Sequence, residues 1–306
     1  MLDRHNKICY AQIGDFMEIR VLEYFLAVAR EQSFSKAADS LHLTQPTLSR
    51  QLKDLEEELG KQLFIRSSKK LSLTDDGMIL RKRAEEILDL VRKTENEINN
   101  NNEQISGDIY VGAGETDAVR ILAKCFKNLI AGHPNLHLHI ESGDGIDVLY
   151  KLDKGLVDLA LILGSIDTSK YNYINLPVYD TWGVLMRSDS ELAEKEFITV
   201  DDLADKPLII SRQALNKKEI NKWFNDKTDK LNIVATYNLA YNASLMAEEN
   251  LGYVLTLDKL INTADSNLKF IPLYPDTTID IKLVWKKYQI HSKAVDRFIR
   301  EIEKIK

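Results

Sequence analysis

The stretch between positions 33 and 60 constrains this chain most, because a capped proline opens a leucine-striped segment there and a glycine closes it. Thr44 is a good N-cap, and Pro46 falls in the first turn, where a missing N–H costs nothing. Leu48, Leu52, Leu55 and Leu59 then recur at helical spacing, so all four are expected to face a core, and Gly60 ends the helix. Upstream, Leu22, Phe25, Leu26 and Ala29 carry the spacing of one buried stripe on an amphipathic helix starting near Ile19. Between the two lies a short helix over 36–41, capped by Ser35, whose Ala37, Ala38 and Leu41 allow close packing. His42 and Leu43 form the turn into the third helix.

The third helix leaves Pro46, Ser49, Arg50 and Lys53 opposite its leucines. Its N-terminal turn adds Gln45 and Thr47, so amide and guanidinium groups that pair with base edges stand beside hydroxyls that suit phosphates. On composition alone, a groove-reading helix and a merely solvated polar face both fit. After Gly60 the chain reads as two short strands, 61–66 and 71–74, around the basic tip 67–70. Arg66, Lys69 and Lys70 would there meet phosphates, although a lysine-rich tip is otherwise a solvated turn. Nine Lys or Arg stand against eight Asp or Glu over 17–74, and the whole chain carries −6. Any nucleic-acid contact is therefore local, since indiscriminate coating is driven by phosphate neutralisation.

Residue order adds what spacing does not. Ser-Phe-Ser-Lys-Ala-Ala (33–38), Thr-Gln-Pro-Thr-Leu-Ser-Arg-Gln (44–51), Leu55-Glu56, Leu59-Gly60, Leu63-Phe64 and Leu73-Thr74 through Gly77 follow one pattern almost position for position. In them the chain resembles the DNA-binding domain of LysR-type transcriptional regulators. The resemblance implies that Gln45, Pro46, Thr47, Ser49 and Arg50 enter the major groove beside Thr44, with Ser35, Lys36 and Lys53 on the backbone. Arg50 and Gln45 are the expected base readers. It also implies the partners: double-stranded promoter DNA, a small-molecule effector, a second copy of the chain in a dimer or dimer of dimers, and RNA polymerase as an admissible further one. Family members begin at the equivalent of Met17, so residues 1–16 receive no role and the winged helix-turn-helix is assigned to 17–75.

Residues 76–105 read as a long linker helix. Leu80, Ala84, Ile87, Val91, Thr94 and Ile98 follow the a/d spacing of a coiled coil among charged neighbours, which suits dimerisation, the alternative being packing on the same chain. Pairing would set two recognition helices about 34 Å apart, one DNA turn.

From 106 to 306 strand and helix patterns alternate: strand 108–112, a helix capped by Thr116 running to Ile130, strand 136–142, helix 147–154 and strand 156–163. A second unit follows, with strands near 182–186 and 208–210, helix 242–250 and strand 252–256. Such alternation predicts parallel, Rossmann-like sheets with helices on both faces, here in two lobes, 106–178 with 282–306 and 179–281. The expected architecture is thus multidomain: an all-α winged helix-turn-helix, a long linker helix and a two-lobed α/β effector domain. Ligands in open α/β sheets sit at the carboxyl ends of strands, which selects the loops holding Glu115, Thr116, Ser142, Gly143, Gly164, Ser211, Arg212 and Asn242. Ordinary capping or turn formation competes at every one of them. The family's effector domains resemble periplasmic solute-binding proteins and use the same loops. Its usual proline and serine before the first effector-domain helix are replaced here by Glu115-Thr116. Glu115 favours a cationic or hydroxyl-rich effector and Arg212 an acid, which leaves the effector's charge open.

Other classes fit less well. No apolar run approaches the roughly 20 residues of a membrane span, and the first sixteen residues lack a secretory signal's apolar core, so a cytoplasmic protein is expected, unlike an exported solute receptor. Cys9 and Cys125 make no disulfide framework or zinc pattern, and Cys125 in an apolar helical stretch reads as core. His133, His137 and His139 lie on or beside one strand without a nucleophile, phosphate loop or ligand cluster, so no catalytic residues, metal or cofactor are expected.

Overall fold

The structure is a computed structural model and describes residues 17–66, 71–99, 105–212, 214, 218–224 and 231–305. It divides into two compact units, residues 1–98 and 99–306. In the first, α1 (Ile19–Glu31), α2 (Phe34–Ser40) and α3 (Gln45–Leu59) enclose a core of Leu22, Phe25, Ala37, Ala38, Leu48 and Leu52. Residues Phe64–Arg66 (β1) and Leu71–Leu73 (β2) pair antiparallel, Phe64 opposite Leu73. The tip they flank, with Lys69 and Lys70, lies outside the described residues. Helix α4 (Asp75–Asn99) follows.

Three expectations need correction. Ser33, not Ser35, caps α2, its hydroxyl accepting from Lys36 N at 3.4 Å. Phe34 packs edge-on to Phe64 at 5.7 Å, which draws it into the helix and moves the start upstream. Leu59 is 39% exposed, because the last turn of α3 runs past the edge of the core before Gly60 closes it in the left-handed conformation (φ 63°). Leu80 and Ala84 are packed into this unit's own core, with Ala84 fully buried, so that part of the expected seam is not available to a partner. Leu88 joins them on the same helix face.

The joint between wing and α4 explains the Leu-Thr-to-Gly pattern. Thr74 donates its hydroxyl to Gln62 O at 2.7 Å and accepts from Gly77 N at 3.0 Å, capping α4 against the strand. A Cβ on Gly77 would lie 2.2 Å from Leu63 O. Alanine gains about 1 kcal/mol of helix propensity over glycine, but backbone overpacking costs roughly 1–3 kcal/mol. Gly77→Ala is therefore expected to lower the melting temperature of the N-terminal unit; an unchanged or raised one in calorimetry would contradict this packing.

The second unit continues with β3 (Gly107–Ala113), α5 (Val119–Ile130), β4 (Leu136–Ser142), α6 (Gly145–Asp153), β5 (Leu159–Leu163) and the long β6 (Tyr171–Arg187). Then come β7 (Leu208–Ser211), α7 (Lys218–Trp223), β8 (Ile233–Tyr237), α8 (Ala240–Glu248), β9 (Tyr253–Leu257), β10 (Leu268–Pro272), β11 (Thr278–Lys286) and α9 (Lys293–Ile302). Strand order is β4-β3-β5-β11-β6-β9-β7-β8, with β10 also on β6. Strands β4, β3 and β5 are mutually parallel, as are β8, β7 and β9. The expectation of purely parallel sheets fails at the centre, where β6, β10 and β11 pair antiparallel with their neighbours. Strand β6 is long enough to serve both halves, pairing along β11 and then with β9 and β10.

Strand alternation assigns each side chain to a layer. Leu159 and Leu161 pack beneath α5 and α9, while Ala160 and Ile162 face α6. In the other half Leu208 and Ile210 meet α7, while Ile209 faces α8. Each half is thus a sheet with a helix layer on both faces.

Candidate functional site

The first site is the polar edge of α3. Thr44 holds the helix start, accepting from Thr47 N at 3.4 Å and sharing a 2.7 Å hydroxyl contact with Thr47. With Leu48, Leu52 and Leu55 buried, Gln45, Pro46, Thr47, Arg50 and Lys53 are exposed, Ser49 half-buried, and Ser35 and Lys36 exposed on α2. Arg50 Nε stands 3.9 Å from Asp54 and Lys53 Nζ 3.0 Å from Glu57, pairs open enough to water to yield readily to a phosphate or base. Glu56 tethers the wing to this helix by accepting from Leu63 N and Phe64 N at 2.7 and 3.1 Å. Arg66 lies in β1.

The second site is a cavity of about 70 Å³ in the α/β unit. It lies at the carboxyl ends of the parallel strands of both halves: Glu115 follows β3, Gly143 follows β4, Leu163 ends β5, Ser211 ends β7 and Tyr237 ends β8. Trp182 of the central strand also faces it. This is where free loop N–H groups and helix starts concentrate in such sheets.

Of the residues selected from sequence, the cavity brings together Glu115, Gly143 and Ser211. Thr116 is buried beside it, its hydroxyl accepting from Ala118 N at 3.1 Å and bonded to the Asp180 carboxyl. Gly164 is buried and donates its N–H to Asp280 O at 2.7 Å. Ser142, Arg212 and Asn242 are exposed and outside the lining. Sequence reading missed Trp182, Tyr237 and Thr256, which strand ends far apart in the chain deliver to one point.

Two carboxyls mark the place electrostatically. Burial raises Glu115 above the usual carboxylate range, against a 2.5 Å hydrogen bond from Ala240 N that lowers it. Burial also raises Asp180, the Thr116 hydroxyl opposing it, and Asp180 Oδ2 has no hydrogen-bond partner among the described residues. Trp182 Nε1 is likewise buried and unpartnered. Buried polar groups left unsatisfied are uncommon, which sets these two apart from most of the sheet.

Elsewhere, His137 and His139 flank the Asp108 carboxylate at 3.6 and 2.9 Å, and no cluster of three or more metal-binding side chains occurs among the described residues. No helix among them is long and apolar enough to cross a membrane.

Residues 19–78 match the family described as "Bacterial regulatory helix-turn-helix protein, lysR family", and residues 102–305 match "LysR substrate binding domain". A "Hydrogen peroxide-inducible genes activator" of Pectobacterium carotovorum subsp. carotovorum is 32% identical over 195 residues, 63% of this chain and 64% of that protein, so the match spans less than two thirds of that relative's length. The "HTH-type transcriptional regulator BsdA" of Bacillus subtilis (strain 168) is 34% identical over 212 residues, covering 69% of this chain and 72% of its own. Among solved structures, full-length CbnR complexed with its target DNA superposes with a TM-score of 0.74 at 18% identity, covering 95% of this chain and 100% of that one. The two family matches lie in chain order and take in the exposed edge of α3 and the whole lining of the cavity, and on them the chain belongs to the LysR family of bacterial regulators.

Proposed function

We propose that the chain is a sequence-specific transcriptional regulator, acting in the cytoplasm as a homo-oligomer, whose hold on promoter DNA is set by a small-molecule effector in the cleft. The observation that carries this reading is the exposed edge of α3, where Gln45, Thr47 and Arg50 stand free of the core at a capped helix start. In this reading they enter the major groove with Pro46 and Ser49 beside Thr44, Arg50 and Gln45 taking base edges, while Ser35, Lys36 and Lys53 lie on the backbone and the wing with Arg66, Lys69 and Lys70 adds phosphate contacts. The relatives' names point the same way: BsdA is a transcriptional regulator, and CbnR was solved on target DNA.

The cavity supplies the input. Its lining comes from both halves of the α/β unit, read as lobes 106–178 with 282–306 and 179–281, so a bound ligand favours whichever arrangement of the halves it contacts best. It shifts regulator activity only by that differential affinity. Footprinting of native promoter fragments at moderate salt is expected to show a protected inverted repeat; absence of any protected region would remove the regulator reading.

The peroxide response in a relative's name does not extend to Cys125. This residue is 2% exposed, and burial, with Glu301 adding to it, pushes its thiol up to about 11. At neutral pH almost none is thiolate, the form that peroxide and alkylating agents attack. Treating the native protein with peroxide and then a maleimide should leave Cys125 unmodified by mass spectrometry, whereas the denatured protein reacts; native labelling at Cys125 would overturn this.

A further inference from the structure

Helix α8 begins at Ala240 behind Leu239, which has no side chain able to cap it. The missing cap comes from 125 positions away: Glu115 Oε2, in the loop after β3, accepts from Ala240 N at 2.5 Å. A helix start at the carboxyl ends of parallel strands is where an anion is held best, because free N–H groups and the helix dipole converge there. In this chain that position is taken by the protein's own carboxylate.

The rest of the cavity has the same bias. No lysine or arginine is among the described residues lining it, and Arg212, the sequence's candidate anion receptor, is exposed outside the lining. Beside it lies the buried Asp180, under the influence of Asp117 and Asp258 on the acidic side and Lys259 on the basic side. Trp182, 5% exposed, also lines the cavity, and its buried Nε1 and the buried Thr256 Oγ1 are unpartnered among the described residues. Leu163, Leu257 and Ile279 complete an apolar wall.

Resting on the reading of this cleft as the effector site, we propose that it takes a small ligand presenting an ammonium or hydroxyl donor to Glu115, and that it rejects simple anions. A cation at Glu115 gains a charge-assisted hydrogen bond in a partly dry site, whereas a carboxylate meets a like charge where its receptor would have been. About 70 Å³ is small beside the roughly 300–1,000 Å³ of drug-sized pockets, so probes of a few heavy atoms suit it.

The test uses the full chain and matched probes: ethanolamine against glycolate and propylamine against propionate, followed by thermal shift and by calorimetric titration. Wild type should bind the amines saturably and ignore the carboxylates. Glu115→Gln should weaken amine binding by about tenfold or more while admitting the carboxylates. Carboxylates binding wild type as well as amines do, or amine binding unchanged in Glu115→Gln, overturns the ligand class and leaves the cleft as the site. If no probe binds wild type or Glu115→Gln, both the ligand class and the reading of the cleft as a small-molecule site fall.

Discussion

Changing Ile87 and Leu90 of α4 to aspartate is expected to turn the protein into monomers and to weaken operator binding by about 10²–10⁴-fold, the advantage that linking two half-site contacts provides. The structure leaves only part of the expected seam exposed. Leu80, Ala84 and Leu88 already contribute to the core of the helix-turn-helix unit. Around the helix from them, Ile79, Ile87, Leu90 and Ile98 are 64, 37, 43 and 65% exposed, an apolar stripe continued by Thr94. Each leucine or isoleucine fully buried against a partner contributes about 1.5–3 kcal/mol, and symmetry counts every one twice. Aspartate at two such positions places four like charges in one dimer seam, while the core of each unit stays intact. Light scattering should show the chain's monomer mass, and gel shifts should show weak binding to one half-site. An unchanged mass would rule out α4 pairing. Ala84→Asp is the contrasting variant: at a fully buried position it should unfold the N-terminal unit, seen as lost helical signal.

How legible each part was depended on how local its determinants are. Helix α3 could be read because Thr44, Pro46 and Gly60 are local signals that the structure uses as such. The start of α2 could not, since Ser33 and Ser35 are both good caps and a tertiary contact, Phe34 on Phe64, decides between them. Charge periodicity along α4 announced a long amphipathic helix without saying which apolar residues its own domain would consume. That division follows from which face of α4 meets the helix-turn-helix core, where Leu80, Ala84 and Leu88 pack.

The α/β unit shows the same divide. Parallel strands with intervening helices repeat a pattern short enough to see in sequence, whereas β6 and β11 join elements remote along the chain and their antiparallel pairing has no local signature. The cavity inherits this. Glu115 and Ser211 stood out as residues in strand-to-helix loops, but Trp182 sits mid-strand and looks like any other core residue until its buried indole N–H is seen to lack a partner among the described residues. The Glu115 link to Ala240 was equally invisible, although the uncapped start of α8, with Leu239 where a serine or aspartate would serve, was a signal that something else must satisfy it.

Arg50→Ala should cost about 1–3 kcal/mol on the cognate operator, roughly 5- to 150-fold, and relax the base preference beneath it, whereas loss of a phosphate contact weakens all sequences alike. Arg50 is suited to the role because its side chain is 82% exposed and paired with Asp54 at a loose 3.9 Å, so little is lost when it turns to a guanine edge. Lys53, paired with Glu57 at 3.0 Å one turn further along, is the internal comparison. Lys53→Ala should lower affinity for operator and random duplex by similar factors and reduce the slope of log affinity against log salt by about one. The discriminating measurement is the ratio of operator to random-duplex affinity at two salt concentrations. A ratio that falls for Arg50→Ala and holds for Lys53→Ala separates base reading from charge neutralisation. Equal losses on both duplexes for Arg50→Ala would assign Arg50 to the backbone and leave sequence reading to Gln45 and Thr47 at the helix start.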